Sequence, residues 1–260
     1  MFTRRSMLFV PLLGAVALVA GARITAQTAS PDIESLAARV ETAVLSEDMA
    51  GLTEARLACL RLLAASGTPA DRVVRIRYTI AYAGWRLGFV PNVPKKEQGD
   101  FLADAKTQLD AVLAAEPRNA EALGLLSGVY GGQIAQNYEL GMTLGPLSDQ
   151  VLSRALAIEP DNPRLLVLKA ENQFHTPPEY GGSVRDAEAT FRRAIAIFDK
   201  EPSTKPWPNW GRFDAHVWLG QALADRKDKA GARAEYELAL KIAPNSTRSP
   251  LSAVHRPSII

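Results

Sequence analysis

The chain of 260 residues is 47% hydrophobic and 22% charged, a balance typical of a globular domain with a sizeable core. Its 30 basic and 28 acidic residues give a formal net charge of +2. Arg4, Arg5 and Arg23 lie in the N-terminal segment 1–26, however, and the remainder carries 27 basic against 28 acidic residues. This near-neutral balance excludes the basic footprint of a nucleic-acid-binding protein. The single cysteine, Cys59, excludes an intrachain disulfide and a cysteine-based metal cluster.

Residues 1–26 have the pattern of an export signal. Arg4 and Arg5 form a basic start, and the apolar run over 7–20 is too short to span a bilayer comfortably. Ala26 provides a small residue for a cleavage site. A twin-arginine signal and an ordinary secretory signal both remain open, as does an uncleaved membrane anchor. The sequence therefore predicts a periplasmic or secreted protein with no stable membrane span after signal cleavage.

The segment 27–69 predicts an N-terminal helical pair. Pro31 and Asp32 form a helix start, apolar residues then recur at helical spacing, and the stretch 48–51 interrupts the pattern before a second helix. Cys59 belongs to this apolar pattern as a small buried side chain. Because the pair lacks the signature residues of the units that follow, it is either a degenerate repeat or a cap.

Residues 70–246 predict four helix–turn–helix units, of which the last, from Phe213 to Pro244, is the most regular. Counted from Phe213, it places small and large residues at the positions of a 34-residue repeat: Leu219, Gly220, Leu223, Ala232, Tyr236, Ala239 and Pro244. The small residues let two antiparallel helices approach, the large ones fill the space between them, and the proline ends the second helix. Three looser units precede it, two of them closed by an E-P-x-N phrase at 116–119 and 159–162. The predicted fold class is an all-α superhelix of antiparallel helix pairs.

Departures from the 34-residue repeat spacing predict inserted loops. Pro117 and Pro160 are 43 residues apart, nine more than one repeat, and the same counting gives about eleven extra residues at 89–99 and five near 176–182. These three insertions fall between the first and second helix of a unit, so we expect a rim of loops along one edge. A fourth, over 202–212, falls between units and therefore on the opposite edge.

Two loops and one aromatic segment are candidate contact sites. The loop 173–182 contains His175, Glu179 and Tyr180, and the glycine-containing loop that ends at Tyr138 has the same character. For both loops, a rigid turn that packs on the next helix and a ligand contact at the mouth of the groove remain open. For the aromatic segment 207–211, packing at a joint between repeats is the favoured interpretation, and a stacking platform for peptide or sugar is the alternative.

If the first helices line the concave face, repeat counting places nine side chains in the groove: Thr79, Arg86, Glu121, Arg164, Glu171, His175, Asp214, Gln221 and Asp225. With the loops included, the predicted ligand- or partner-binding residues are Arg86, Tyr138, Arg164, Glu171, His175, Glu179, Tyr180 and Gln221. The alternative is that these charged helix residues are simply solvated. The three histidines have no metal-binding spacing, and no nucleophile motif is present, so no catalytic residue, metal or cofactor is predicted.

The repeat residues over 75–244 resemble the tetratricopeptide superfamily. Two phrases are similar to a group of exported bacterial tetratricopeptide proteins with no established activity: Tyr180-Gly181-Gly182 followed by Ala187, Phe191 and Ala194, and Asn209-Trp210-Gly211 before a Trp-Leu-Gly helix. A more distant similarity, through the repeats alone, is to the periplasmic T-component-like proteins of TRAP transporters. The resemblance implies a superhelical scaffold that works by binding.

We therefore expect a non-enzymatic adaptor that holds a protein or peptide along its groove, with the loop rim restricting access. The alternative is a small-ligand carrier or transport accessory whose pocket lies under the loops near Tyr138, His175 and Tyr180. A third hypothesis is an enzyme built from the same loops. The predicted organisation is a signal at 1–26, the helical pair at 27–69, the repeat domain at 70–246 and an irregular tail at 247–260, expected to pack loosely.

Overall fold

The fold is all-α in the computed structural model, which describes residues 32–65, 67–91, 93–201 and 207–251. The predicted export signal lies outside the described residues. Within those ranges there is no strand, and none of the helices is both long and apolar enough to cross a bilayer. The described helices are α1 (Ile33–Ser46), α2 (Met49–Ala64), α3 (Ala70–Leu87), α4 (Lys95–Ala115), α5 (Ala120–Gln136), α6 (Gly141–Ile158), α7 (Pro163–His175), α8 (Val184–Phe198), α9 (Arg212–Asp225) and α10 (Lys229–Ile242).

Neighbouring helices pack as antiparallel pairs, α1 with α2 through α9 with α10, and each pair packs on the next. The last pair shows why its small residues are needed. A Cβ atom on Gly220 would lie 2.4 Å from the ring of Tyr236, so only glycine lets α9 and α10 approach this closely. Ala232 and Ala239 are buried in the same contact. The predicted fold class is confirmed.

The E-P-x-N motif ends one helix and caps the start of the next. At 116–119, Glu116 is the C-cap residue that follows α4, and the side chain of Asn119 accepts a hydrogen bond from the backbone N–H of Ala122 at 2.9 Å. At 159–162, Asn162 caps α7 in the same way, with its side chain accepting from the backbone N–H of Arg164 at 3.0 Å. The proline ends one helix while the asparagine satisfies an unpaired donor at the start of the next.

The insertions between paired helices form less loop than their length suggests. The nine extra residues before Pro160 lengthen α5 to 17 residues and α6 to 18. Only 137–140 remains as the connection, and its 3₁₀ turn Tyr138–Leu140 leads directly into α6. Part of the insertion at 89–99 likewise becomes the first turn of α4. The rim is therefore built largely from helix ends.

The two ends of the array meet. Leu45 of α1 packs against the apolar cluster of Phe213, Ala239 and Ala243 in the last unit. The carboxylate of Glu47, just after α1, accepts hydrogen bonds from the hydroxyl of Ser246 at 2.6 Å and from a backbone N–H beyond it. The expectation of a loose tail is thus wrong up to residue 251. Its fixed contacts come from a residue about two hundred positions away, which local sequence cannot reveal.

The aromatic segment 207–211 fills the inside of the array. Trp210 is 1% exposed, stacks on Tyr82 of α3 with ring centroids 5.4 Å apart, and donates from Nε1 to the hydroxyl of Tyr78 at 3.0 Å. Packing is confirmed, but against the first full unit rather than at the joint between adjacent repeats. Gly211 turns the chain into α9 with φ +103°, a conformation that a side chain would strain.

We predict that Trp210→Ala lowers the free energy of unfolding by about 3–5 kcal/mol, because it removes a buried ring and leaves a cavity among the α3 aromatics. Equilibrium urea denaturation measures this change. Tyr180→Ala is the matched control, since Tyr180 is 65% exposed and its removal should shift stability by about 0.5 kcal/mol or less. Equal effects of the two substitutions would contradict the internal role of Trp210.

Candidate functional site

Five ionisable side chains from distant parts of the chain converge inside the array. Glu41 comes from α1, Arg86 from α3, Glu171 from α7, Asp214 from α9, and Arg248 from the C-terminal segment. We call these five residues the central charge cluster. Because each belongs to a different element, the cluster exists only when the two ends of the array have met.

Asp214 is the hub of this cluster. Its Oδ1 atom accepts from Nη2 of Arg86 at 2.8 Å and from Nη1 of Arg248 at 2.6 Å. Burial alone would raise the pKa of Asp214, but the two guanidinium groups outweigh it and lower the pKa to about 2. Asp214 therefore stays ionised at neutral pH and binds both arginines.

The other two carboxyl groups of the cluster lack such a partner. Glu41 accepts a hydrogen bond from the hydroxyl of Tyr82 at 3.2 Å, and burial raises its pKa to about 7. Among the described residues, Glu171 has no hydrogen bond or ion pair, although its side chain is only partly covered. Burial, followed by the charge of Asp214, raises the pKa of Glu171 to about 8. At neutral pH most copies of Glu171 therefore carry a proton.

Next to Glu171, the C-terminal ends of α7 and α9 form an accessible surface. His175 follows one turn after Glu171, and its ring lies edge-on to that of Trp218 at 4.8 Å. Desolvation by its surroundings lowers the pKa of His175, so the imidazole is neutral at neutral pH. Gln221, one turn beyond Trp218, donates to Asp225 at 2.9 Å. We call Glu171, His175, Trp218 and Gln221 the α7–α9 open end.

Arg164 belongs to a structural network rather than to an accessible surface. It is 4% exposed, and its Nε donates to Oε1 of Glu121 at 2.6 Å. The other oxygen of Glu121 accepts from Tyr78, whose hydroxyl in turn accepts from Trp210. Arg164 and Glu121 thus link the α5 and α7 units to the aromatic segment. The predicted binding residues Arg86 and Arg164 are therefore both held in intrachain ion pairs.

The remaining predicted binding residues lie in the open. Tyr138 is 73% exposed, Tyr180 is 65% exposed, and Glu179 is also exposed. The structure brings Glu171, His175 and Gln221 together at the open end, and places Glu179 and Tyr180 on the 3₁₀ turn that follows α7. Thr79 is fully buried and donates to the carbonyl of Arg75 at 2.8 Å.

The structure adds an apolar surface that sequence reasoning missed. Four large side chains between the end of α5 and the middle of α6 are exposed, and we call them the apolar strip: Tyr138, Leu140, Met142 and Leu147. Met142 is 74% exposed. Large apolar side chains that are exposed together on one short segment are typical of an interaction surface. Helical spacing alone does not separate it from a core-facing stripe, because α6 also buries Val151, Leu152 and Ala155.

Comparisons with known proteins agree with this architecture. A tetratricopeptide repeat family model matches residues 213–246. Among solved structures, the chain is similar to the HusA haemophore from Porphyromonas gingivalis, with a TM-score of 0.62 and 20% identity, covering 74% of this chain and 92% of that one. It is also similar to a thermophilic tetratricopeptide-repeat protein from Thermus thermophilus, with a TM-score of 0.56 and 18% identity, covering 81% and 93%. At these identities the likeness concerns the fold alone. No curated protein matches the chain in sequence.

We predict that Glu171→Gln stabilises the protein increasingly as pH rises. The ordinary carboxyl pKa of 4.5 is raised to about 8 in the folded state, so its stabilising contribution is complete below pH 4.5 and is lost as pH rises through about 8. Glutamine resembles the protonated form and does not ionise. Thermal denaturation at pH 5 and at pH 9 should therefore show similar melting temperatures at pH 5 and a higher one for the variant at pH 9.

The matched control is Glu179→Gln, which removes an exposed carboxylate outside the cluster. Its melting temperature should follow that of the wild type at both pH values. A Glu171→Gln variant that tracks the wild type in the same way would show that Glu171 ionises freely in the folded protein.

Proposed function

We propose that this chain, whose residues 213–246 match a tetratricopeptide repeat, is an exported, non-enzymatic adaptor that binds a protein or peptide partner. The all-α superhelical fold is typical of interaction scaffolds, and this supports a binding role. Among the described residues, His175 has no hydrogen-bond or ion-pair partner that would orient it as a general base, which favours binding over catalysis. The export signal expected at 1–26 supports action in the periplasm or outside the cell.

The observation that carries the proposal is the apolar strip. Tyr138 and Met142 are each about three-quarters exposed, although their burial in the core of the same unit would be favourable. Large apolar side chains exposed on one short stretch of the chain favour association with a partner that covers them.

The partner contacts the rim and the open end rather than the full length of the groove. Trp210 and the central charge cluster occupy the inside of the array. Entry of a partner there would separate stacked rings and break the ion pairs of Asp214, at a cost of several kcal/mol. The strip and the α7–α9 open end require no such rearrangement.

We predict that the double variant Tyr138→Ser and Met142→Ser loses its partner. Removal of two exposed apolar anchors should weaken binding about tenfold or more, because such residues each contribute about 1 kcal/mol or more. The tagged mature protein is incubated with a periplasmic extract, and the recovered proteins are quantified by mass spectrometry. The mass of the protein isolated from the periplasm also shows whether 1–26 has been removed.

The matched control replaces two exposed leucines on other helices, Leu57→Ser on α2 and Leu238→Ser on α10. It should recover the partner at the wild-type level. Equal recovery by the strip variant and this control would count against the strip, and recovery of a small molecule with no protein would count against the adaptor role.

A small-ligand carrier is the second candidate function, and the open end favours it. His175 is neutral and exposed, with Phe174 and Trp218 as aromatic neighbours at 5.0 and 4.8 Å between ring centroids. A neutral imidazole beside aromatic rings suits a flat, conjugated ligand or an iron-bearing one. The similar HusA protein is described as a haemophore, which makes haemin the appropriate probe.

For this second candidate we predict that haemin added to the wild-type protein shows a shifted absorption band that His175→Ala abolishes. The expected change follows from loss of the imidazole as a ligand to iron. Glu179→Ala, on the neighbouring turn, should leave the shift unchanged. An identical titration of the wild type and His175→Ala would rule out His175 as the ligand.

A further inference from the structure

The central charge cluster contains one more acid than base. Asp214 accepts from both Arg86 and Arg248, whereas neither guanidinium group makes a hydrogen bond or ion pair with Glu171. Glu41 is 9% exposed and has the hydroxyl of Tyr82 as a partner, whereas Glu171 has no hydrogen-bond or ion-pair partner in the described part of the chain. A partly covered carboxyl group with no partner costs free energy when it ionises in the folded protein.

Glu171 is nevertheless accessible from one side. It is partly exposed, and the residues that follow it on the same face of α7 and α9 are the solvent-exposed His175 and the partly exposed Gln221. Trp218 lies between them and forms an apolar wall. The open end thus combines a partly exposed carboxyl group, that of Glu171, with the aromatic side chain of Trp218.

We propose that the α7–α9 open end binds a lysine or arginine side chain of the partner peptide, with the cationic group on Glu171 and the aliphatic stem against Trp218. This inference rests on the proposed binding function and names the chemistry that one of its surfaces recognises. An ammonium or guanidinium group supplies the charged hydrogen-bond donor that the Glu171 carboxylate lacks. The long apolar stems of these two residues suit an aromatic wall.

The arrangement discriminates against other ligands. An anionic group beside Glu171 would be repelled by Asp214, the charge that acts most strongly on the Glu171 carboxyl group. A metal ion requires several ligands, and no group of three or more suitable side chains is found among the described residues. A single cationic side chain with a long apolar stem can bind the carboxylate of Glu171 and pack against the ring of Trp218.

When no cation is bound, a proton neutralises the carboxylate of Glu171 at neutral pH. Because a carboxyl group with a pKa of about 8 is about one-tenth ionised at pH 7 and about nine-tenths ionised at pH 9, cation binding should tighten about tenfold over that range. The lysine side chain keeps its charge throughout. Glu41, with a pKa of about 7, ionises in the same direction, while Asp214 and Arg86 keep their charges and His175 stays neutral. The remaining member of the cluster is the guanidinium group of Arg248, which is bound to Asp214.

The test is selection of a displayed library of short random peptides on the full mature protein and on two variants, E171Q and E97Q. Glu97 is an exposed residue of α4 outside both the central charge cluster and the open end. Peptides enriched on the wild type and on E97Q should carry lysine or arginine, and this preference should disappear on E171Q. The best lysine peptide, titrated by calorimetry at pH 7 and at pH 9, should show the tenfold tightening. Glutamine mimics the protonated carboxyl group, so E171Q should fold as the wild type does.

Each other outcome overturns the inference in a distinguishable way. Enriched peptides without a basic preference, or with one that survives in E171Q, overturn the inference and leave the adaptor role standing. Failure to enrich any peptide overturns both. Spermidine serves as a free-amine probe: if it binds in a Glu171-dependent manner while the peptides do not, the cation comes from a small amine and the peptide assignment is wrong.

Discussion

A buried aspartate holds this array closed. Asp214 accepts hydrogen bonds from two arginines, one on α3 and one in the C-terminal segment, so a single carboxylate joins three distant parts of the chain. A buried ion that loses a partner costs several kcal/mol, which makes the arrangement all-or-none. The stacking of Trp210 on Tyr82 adds an apolar contact between the same regions. Together these interactions turn a row of helix pairs into an array whose ends touch.

Closure decides which surfaces remain for recognition. In an open superhelix the concave face would be free along its length, but here aromatic rings and ion pairs occupy much of it. Arg86 and Arg164 therefore stabilise the fold and are not free to bind a partner, since each pairs with a carboxylate of another unit. The accessible part of the inner face is reduced to the ends of α7 and α9, beside a rim that carries the apolar strip.

Two features of the molecule are poorly explained by stability alone. Glu171 is partly covered and has no hydrogen-bond or ion-pair partner among the described residues, and the apolar strip leaves large side chains in water. Residues that contradict local folding preferences tend to mark functional sites, because their cost is offset by what they bind. Both features belong to neighbouring repeat units that are held rigid by the same closed packing, and a rigid scaffold reduces the entropy lost on binding.

The sequence by itself determined the helix pairs and their limits. Gly220, Ala232 and Ala239 allow close approach, and the asparagines and prolines of the E-P-x-N phrases start and end helices through short-range hydrogen bonds. Such effects act within a few residues or across one pair, so a repeat pattern reveals them. Only the tertiary structure decided that Glu47 binds the tail, that Trp210 packs on α3, and which groove residues are accessible. These contacts join positions more than a hundred residues apart, and their pairing depends on the curvature with which the units stack rather than on any local spacing.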